Sequence, residues 1–219
     1  MSAPAPRPDL PLLQPLGDSA LLVRFGASLD PAANRAAIGF ANVMAKAALP
    51  GVIEVVPSLV SVLVRYSWSI ISLANLMGEI RLLLSAPKPE QAATITHVAA
   101  TIFDGEDIAD LAVHLEISPA EFIRRHNETA LTVLATGFAP GFVYCGFHPE
   151  ALNVPRRSMV RAKVPAGTVL FAAGQTAITS TPIPTGWHII GHTAFRNLDL
   201  AQTPPTTLRA GDGIRFEVA

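Results

Sequence analysis

The chain has 219 residues, of which 50% are hydrophobic and 15% are charged, and its formal net charge is -1. It contains no apolar run near the ~20 residues that span a bilayer, and Cys145 is its single cysteine. These features argue against a transmembrane protein, an internal disulfide and a cysteine metal cluster. A mean hydropathy of +0.39 is high for a free monomer, so we expect a cytoplasmic protein that buries apolar surface against a partner.

The N-terminal half predicts an α+β domain over residues 15–90, preceded by a flexible proline-rich tail over residues 1–14. The predicted elements are a strand at 20–25, a helix from Asp30-Pro31 to before Pro50-Gly51, strands at 52–56 and 59–66 separated by Pro57-Ser58, and a helix over 70–84. Their order, β-α-β-β-α, is a split βαβ, ferredoxin-like arrangement.

A second domain is predicted over residues 91–219, after a polar linker at 85–91. It begins with a strand at 95–101, an acidic run and a short helix to Leu115. We expect the acidic run, which includes Asp104 and Asp107, to stabilise the start of that helix. Ser118 and Glu121 form a capping box for a helix through His126. Beyond Thr129, short aliphatic runs alternate with glycine and proline, which predicts a barrel or sandwich.

The segment between Glu150 and Asp199 contains no aspartate or glutamate, yet it carries five cations, Arg156, Arg157, Arg161, Lys163 and Arg196. Such a surface suits a small anion, for example a carboxylate or a phosphate. Alternatively, the cations pair with carboxylates from elsewhere in the fold. Both hypotheses remain open from the sequence.

Several common catalytic motifs are missing from the sequence. No P-loop, dinucleotide-binding G-x-G-x-x-G or G-x-S-x-G nucleophile elbow is present. His188 and His192 have the spacing of some zinc ligands, but their aliphatic context predicts a strand and no third ligand is nearby. We therefore predict no metal site. Cys145 has no neighbouring base and is not predicted to be a nucleophile.

Three segments together resemble one protein family in their order and spacing. They are residues 137–142 (GFAPGF), residues 154–169 (VPRRSMVRAKVPAGTV), and residues 174–176 followed by 186–191 (GQT and GWHIIG). With residues 15–23 and 50–52, they make the chain similar to the family called KipI, PxpB (the B subunit of 5-oxoprolinase) or allophanate hydrolase subunit 1. The resemblance runs from about residue 14 to the C-terminus. GFAPGF and residues 103–107 look closer to the urea-carboxylase branch.

The resemblance implies an α+β fold, in which a small ferredoxin-like domain precedes a cyclophilin-like β-barrel. It also implies one subunit of a heteromeric ATP-dependent amide-bond hydrolase for a small carboxylated amide, with ATP used by the assembled complex. The implied partner is a KipA- or PxpC-like protein (allophanate hydrolase subunit 2), with no nucleic-acid or membrane partner. The alternatives are half of a biotin-dependent carboxyltransferase, which needs a biotin carrier, and a KipI-type inhibitor of a sensor histidine kinase.

Candidate site residues follow from the matching motifs. His188 is the candidate general acid or base and Gln175 the residue that orients an amide or carbamate; the alternatives are a structural histidine and a turn-stabilising glutamine. Candidate substrate-binding residues are Arg156, Arg157, Arg161, Lys163, Phe138, Pro140, Gly141, Gly174, Thr176 and Trp187. We expect Arg156 and Arg157 to point to opposite sides of an extended chain. Ala173, Ala177 and Thr185 depart from the glycines usual in the family.

Overall fold

The computed structural model describes residues 11–86 and 94–219, and the chain divides into two compact units between Ala92 and Ala93. Residues 1–10 of the predicted tail lie outside the described residues. The end of the predicted tail is not a tail, because Leu12–Leu16 forms strand β1. Leu13 packs on the core and the strand pairs with its neighbour along its length. Pro15 is tolerated there because β1 is an edge strand.

The first unit, over residues 11–86, has four strands and two helices. They are β1, β2 (Ala20–Arg24), α1 (Pro31–Ala47), β3 (Val52–Ser58), β4 (Ser61–Tyr66) and α2 (Leu73–Ser85). The sheet is antiparallel, in the order β1-β2-β4-β3. Elements β2 to α2 form the predicted split βαβ motif, and β1 extends the sheet along the other side of β2.

Local sequence signals explain most of these boundaries. The Asp30 carboxylate accepts hydrogen bonds from the backbone N–H groups of Ala32 and Ala33, both at 2.9 Å, and caps α1. The predicted strand break at Pro57-Ser58 is wrong, since both residues belong to edge strand β3 and the turn follows at Leu59, whose φ is 49°. Helix α2 begins later than predicted because Ser72 caps it.

The second unit contains a closed barrel within residues 94–219. The strands are β5 (Thr96–Ile102), β6 (Leu131–Thr136), β7 (Val143–Gly146), β8 (Arg161–Val164), β9 (Thr168–Ala172), β10 (Gln175–Ile178), β11 (Ile183–Thr185), β12 (His188–Thr193) and β13 (Gly213–Val218). Two helices, α3 (Ile108–His114) and α4 (Pro119–His126), lie between β5 and β6. Of the predicted linker, Ser85 ends α2 and residues 87–91 lie outside the described residues.

The barrel order is β10-β7-β6-β13-β5-β12-β9, and β9 pairs with β10 to close it. β13 and β5 pair in parallel, whereas the other neighbours are antiparallel. Strands β8 and β11 form a separate two-stranded sheet. The predicted α+β class and the barrel are therefore confirmed.

Side chains of β9 are buried on both faces, which places a second core outside the barrel. Val169 and Phe171 belong to the interior core, whereas Leu170 and Ala172 belong to an outer cluster. Members of this outer cluster also come from β7 to β12 and their loops, namely Phe142, Val164, Ala177, Ile183 and Trp187. No helix in the two described ranges is long and apolar enough to cross a bilayer.

Candidate functional site

Four aromatic side chains form a continuous strip along the outer cluster. The ring centroids are 5.5 Å apart between Phe138 and Phe142, 4.7 Å between Phe142 and Tyr144, and 6.0 Å between Tyr144 and Trp187. Phe142 and Trp187 are buried, Tyr144 is half-buried and Phe138 is exposed. We call these four residues the aromatic strip.

Arg156 lies over the end of the aromatic strip. Its guanidinium carbon is 5.6 Å from the centroid of the Trp187 ring, a cation–π arrangement. Burial raises the pKa of the Tyr144 phenol, and the nearby positive charge of Arg156 opposes this rise. Among the described residues Arg156 has no ion-pair partner. A guanidinium stacked on an indole keeps N–H donors at its edge for a carboxylate or phosphate.

His188 and Arg156 line the same small cavity, of ≈ 210 Å³. Its other lining residues are Asp110, Leu111, His114, Val154 and Pro155. Nε2 of His188 donates a hydrogen bond to the carbonyl oxygen of Pro155 at 3.0 Å. In the neutral ring this contact leaves the lone pair on Nδ1, which is buried without a hydrogen-bond partner. The ring is therefore oriented by Pro155, and Nδ1 is its nitrogen without a hydrogen-bond partner.

Arg157 has a different partner from Arg156 and is held by an internal carboxylate. Asp107 accepts hydrogen bonds from Arg157 and, at 2.8 Å, from Arg161, while Glu106 pairs with Arg161 at 2.9 Å. The acidic run does lie at the start of α3, with Asp107 at the N-cap position and Asp110 in the first turn. The Asp107 carboxylate makes no capping hydrogen bond, however, and instead accepts from the backbone N–H of Ile189 at 2.7 Å. For these two arginines, pairing with carboxylates from elsewhere in the fold is the observed arrangement.

The other two cations of the acid-free segment differ from each other. Arg196 donates to the backbone carbonyl oxygens of Thr193 and Phe195, at 2.6 and 3.0 Å. Lys163 is exposed on β8 and has no ion-pair partner within the described ranges. Neither residue lines the cavity of Arg156 and His188.

Gln175 follows the tight turn that joins β9 to β10. The two turn residues, Ala173 and Gly174, both have positive φ, 50° and 66°, as a two-residue hairpin turn with right-handed strand twist requires. Gln175 is 8% exposed and its Oε1 has no hydrogen-bond partner. It lies on the same face of β10 as Ala177, a member of the outer cluster. Gln175 does not line the cavity that holds Arg156 and His188.

Thr176 faces the barrel interior and bridges two histidines that the sequence did not reveal. Its Oγ1 is 2.8 Å from Nε2 of His126 and 2.8 Å from Nε2 of His148. Nδ1 of His126 donates to Oδ1 of Asn127 at 2.7 Å, so Thr176 donates to His126 and accepts from His148. The Thr176 hydroxyl is thus engaged inside the protein. The sequence could not predict this contact, because Thr176 is 50 residues from His126 along the chain.

The loop at residues 137–142 is a tight turn fixed by its contacts with residues 180 and 198. A Cβ at Gly141, where φ is 71°, would lie 2.6 Å from the Cβ of Ser180 and 2.7 Å from that of Leu198. Oγ of Ser180 also donates to the carbonyl oxygen of Gly141 at 2.9 Å. Pro140 is exposed at the tip of this loop. Gly141 therefore allows the close backbone approach that fixes the loop.

Neither a reactive thiol nor a metal centre is favoured by the described residues. Burial raises the pKa of the Cys145 thiol, which disfavours a reactive thiolate. In the part of the chain that the structure describes, no group of three or more His, Cys, Asp or Glu side chains is arranged to hold a metal ion. The structure thus brings together Arg156, Trp187 and His188, with Phe138 at the far end of the aromatic strip.

Comparison with known proteins gives similarity along nearly the whole chain. Residues 11–208 match the family described as carboxyltransferase domain, subdomain C and D. The B subunit of 5-oxoprolinase from Bacillus subtilis (strain 168) is 31% identical over 93% of this chain and 91% of its own length. The Haemophilus influenzae protein of the same name is 41% identical over 52% of this chain and 54% of its own length.

Solved structures show the same similarity. The crystal structure of TTHA0988 superposes with a TM-score of 0.82 and 32% sequence identity. The matched region covers 91% of this chain but only 40% of the TTHA0988 chain. The urea amidolyase of K. lactis, at 15% identity and a TM-score of 0.74, shares the fold. The chain therefore belongs to the carboxyltransferase domain family, subdomains C and D, in which the B subunit of 5-oxoprolinase is found.

Proposed function

We propose that this chain is one subunit of a heteromeric, ATP-dependent amide-bond hydrolase that acts on a small carboxylated amide. The observation that carries the proposal is the match to the 5-oxoprolinase B subunit of Bacillus subtilis over 93% of this chain. The compound in that name, 5-oxoproline, is a cyclic amide with one carboxylate. Such a molecule needs a cationic anchor and a group that handles a proton at the amide nitrogen.

Arg156 is the proposed anchor for the substrate carboxylate. Its guanidinium is exposed, stacked on Trp187 and without an ion-pair partner among the described residues. Two parallel charge-assisted hydrogen bonds from a guanidinium bind and orient a carboxylate. The cavity beside it, at ≈ 210 Å³, is smaller than the ~300–1,000 Å³ typical of drug-sized ligands. A compact substrate suits this size.

His188 is the proposed acid or base. Its Nε2 donates to Pro155, so Nδ1 is the nitrogen left for the substrate; because Nδ1 is buried, the proposed role requires the residues around it to move when the substrate binds. Because Arg156 lines the same cavity, one small molecule can contact both residues. Gln175 lies elsewhere on β10, and its proposed role in orienting the amide stays a prediction that Gln175→Ala tests.

ATP and a second protein complete the proposed activity. We assign ATP use to the assembled complex and the second subunit to a KipA- or PxpC-like protein. Transfer of the γ-phosphoryl group of ATP to the amide oxygen, with release of ADP, would activate the amide carbon for attack by water, and a nearby cation would stabilise the negative charge on the phosphate.

Coexpression with a KipA- or PxpC-like subunit tests the proposal. We expect the two chains to co-purify and to convert 5-oxoproline to glutamate only when ATP is present, whereas this chain alone shows no turnover. The proposal is wrong if the subunit neither co-purifies nor supports ATP-dependent hydrolysis.

A second candidate is half of a biotin-dependent carboxyltransferase. The matching family is described as a carboxyltransferase domain, and the urea amidolyase of K. lactis has the same fold. This function predicts that activity depends on a biotinylated carrier protein. Adding avidin to the reconstituted complex separates the two functions, because avidin inhibits the carboxyltransferase and leaves the ATP-dependent hydrolase active.

A further inference from the structure

Asp107 is buried and binds the chain neighbours of both residues that the proposed function uses. Its Oδ1 accepts from the side chain of Arg157, which follows Arg156 in the chain. Its Oδ2 accepts at 2.7 Å from the backbone N–H of Ile189, which follows His188. Asp107 itself does not line the cavity that holds Arg156 and His188. One carboxylate therefore supports both residues from outside the cavity.

The link from Asp107 to β12 uses both backbone polar groups of Ile189. The backbone N–H of Asp107 donates to the carbonyl oxygen of Ile189 at 3.2 Å, and its carboxylate accepts from the Ile189 N–H. β12 pairs with β5 at His192 and Thr193, and β5 ends at Ile102. Asp107 thus takes the place of a neighbouring strand for Ile189. The first residues of β12 are therefore held by Asp107.

The segment before Asp107 approaches β12 closely because residue 105 is a glycine. A Cβ at Gly105 would lie 2.2 Å from the carbonyl oxygen of Ile189 and 2.4 Å from the Cα of Ile190. Both distances are far shorter than van der Waals contact, so a side chain at this position would push the segment away from the strand. The absence of a side chain at Gly105 therefore allows Asp107 to reach Ile189.

Arg157 connects the loop that carries Arg156 to the same carboxylate. Its side chain donates to Asp107, and its backbone N–H donates to the carbonyl oxygen of Gly186 at 2.8 Å. Gly186 precedes Trp187, on which the Arg156 guanidinium stacks. Arg156 therefore extends from a loop whose next residue is held by its side chain and by its backbone.

Helix α3 supplies other lining residues of the cavity, namely Asp110, Leu111 and His114. Asp107 is the N-cap residue of this helix, and its carbonyl oxygen accepts from the backbone N–H of Leu111 at 3.0 Å. Asp107 thus joins three parts of the cavity at one point: α3, the loop of Arg156 and the start of β12.

We propose that Asp107 is a positioning residue for the proposed hydrolysis, which fixes the spacing between Arg156 and His188 without touching the substrate. The inference rests on the proposed function, which gives those two residues their roles. A small substrate whose carboxylate is bound by Arg156 presents its amide to His188 only while the two side chains keep this spacing. A displacement of about 1 Å between reacting groups can cost about a hundredfold in rate. A role in stability alone would leave the kinetics of a folded variant unchanged.

The test compares kcat and KM for 5-oxoproline between the wild-type complex and a complex that carries Asp107→Asn. Asparagine keeps the shape of the side chain but loses the charge and one acceptor oxygen. We expect kcat to fall and KM to rise, so that kcat/KM falls at least about tenfold. Gly105→Ala keeps every charge and displaces the same segment, so it should also lower kcat. The two variants change different atoms, so if one does not fold, the other decides.

Glu106→Gln and Leu21→Ala are the matched controls. Glu106 pairs with Arg161 but its side chain is 64% exposed, so Glu106→Gln should retain the wild-type kcat and KM. Leu21 is buried in the core of the first unit, and Leu21→Ala lowers thermal stability without changing the cavity. A kinetic loss in Leu21→Ala as large as that in Asp107→Asn would overturn the inference, because stability alone would then explain it.

The tautomer of His188 gives a measurement that needs no activity. In the isolated chain, nitrogen NMR of the neutral ring should show the proton on Nε2, the atom that donates to Pro155. Asp107→Asn should make both tautomers of His188 visible. The proton of His126 should stay on Nδ1, which donates to Asn127, and serves as the internal control.

The outcomes separate the inference from the proposed function. Wild-type kinetics of a folded Asp107→Asn complex would overturn the positioning role and leave the proposed function intact. A His188 tautomer that stays fixed in this variant would overturn the positioning role as well. If the wild-type complex does not hydrolyse 5-oxoproline but Asp107→Asn releases the tautomer, the proposed function is wrong and the positioning of the His188 ring is supported.

Discussion

Asp107 joins three parts of the second unit through its two carboxylate oxygens. Oδ1 accepts from Arg157 and Arg161, and Oδ2 accepts from the backbone N–H of Ile189. Burial alone would raise the pKa of Asp107, but hydrogen bonds from Arg161 and Ile189 and the two positive charges outweigh burial and lower it. The carboxylate is therefore ionised at neutral pH and holds the arginine loop against β12.

We predict that Asp107→Ala lowers the free energy of unfolding by about 2–4 kcal/mol, because it leaves two partly buried guanidinium groups without their anion. Chemical denaturation measures this loss. Glu106→Ala is the matched control: Glu106 pairs with the same Arg161 but is 64% exposed, so its loss should cost at most about 1 kcal/mol. Equal effects of the two substitutions would contradict the anchoring role of Asp107.

The pH dependence of this anchor follows from the lowered pKa of Asp107. A carboxyl whose pKa is lower in the folded protein stabilises the fold fully above its ordinary value of 3.8. The stabilisation is lost as the pH falls through the folded-state pKa. The difference in stability between the wild type and Asp107→Ala should therefore shrink below pH 3.8.

At the scale of single elements, the backbone conformation of the β9–β10 turn is unfavourable for the alanine at position 173. Ala173 has a φ of 50°, whereas glycine adopts such values without a steric penalty. We predict that Ala173→Gly raises the free energy of unfolding by about 0.5–1 kcal/mol, after the extra entropy of glycine in the unfolded chain is subtracted.

Gly174→Ala is the reciprocal control for this turn. Its φ is 66° and an added Cβ would meet nothing within 4 Å, so the cost is conformational alone. We expect a loss of about 1 kcal/mol. Thermal unfolding of both variants decides the matter: the two melting temperatures should move in opposite directions. Destabilisation by Ala173→Gly would show that the turn does not have this geometry.

The histidine pair makes the barrel sensitive to acid. Burial lowers the pKa of His126 to about 4, and burial together with nearby His126 lowers the pKa of His148 to about 3. The side chains packed around the two rings include Phe103, Phe122, Phe171 and Phe216, none of which can neutralise a positive charge. Both rings are therefore neutral in the folded protein.

We predict that stability falls as the pH drops from the ordinary histidine pKa of 6.5 toward 4. Because the folded-state pKa values are lowered, the unfolded chain binds protons first, at a cost of about 1.4 kcal/mol per pH unit for each histidine. Urea denaturation across this range measures the slope. His148→Gln should reduce the slope, whereas His192→Gln, at an exposed ring, should leave most of it. A flat profile would contradict the buried pair.

The starts of helices α1 and α4 could be predicted from the sequence, because residues within one turn determine them. Helix α1 begins at Asp30-Pro31 and helix α4 at Ser118-Pro119, because a capping side chain and a proline act within one turn. Strand β1 was missed because its prolines resemble a tail, and only pairing with β2 makes it a strand. The parallel pairing of β5 with β13 joins distant segments, and no local pattern encodes it.

The same division applies to the candidate site. The aromatic strip was not predictable as a whole, because Phe138, whose φ is 75°, lies in a turn and the contact of Tyr144 with Trp187 joins distant segments. The pairing of Arg157 with Asp107 spans 50 residues, so the sequence left open whether the arginine was free. The cavity shared by Arg156 and His188 depends on α3, whose placement against these residues required the fold.

At the scale of the whole molecule, the chain has the character of one part of an assembly. It is 50% hydrophobic, and Phe138, Met159 and Val160 remain largely exposed beside the aromatic strip. Arg156 and His188 border a small cavity next to this strip. The cavity is therefore the place where the proposed function puts its substrate.

The most direct test of the proposed substrate site is the KM for 5-oxoproline in ATP-dependent hydrolysis by the reconstituted complex, compared between the wild type and Arg156→Gln. Loss of charge-assisted hydrogen bonds should raise KM by about tenfold or more, with the complex still assembled. Arg215→Gln, at an exposed arginine on β13, is the matched control and should retain the wild-type KM. Unchanged KM and kcat in Arg156→Gln would contradict the assignment of Arg156 as the carboxylate anchor.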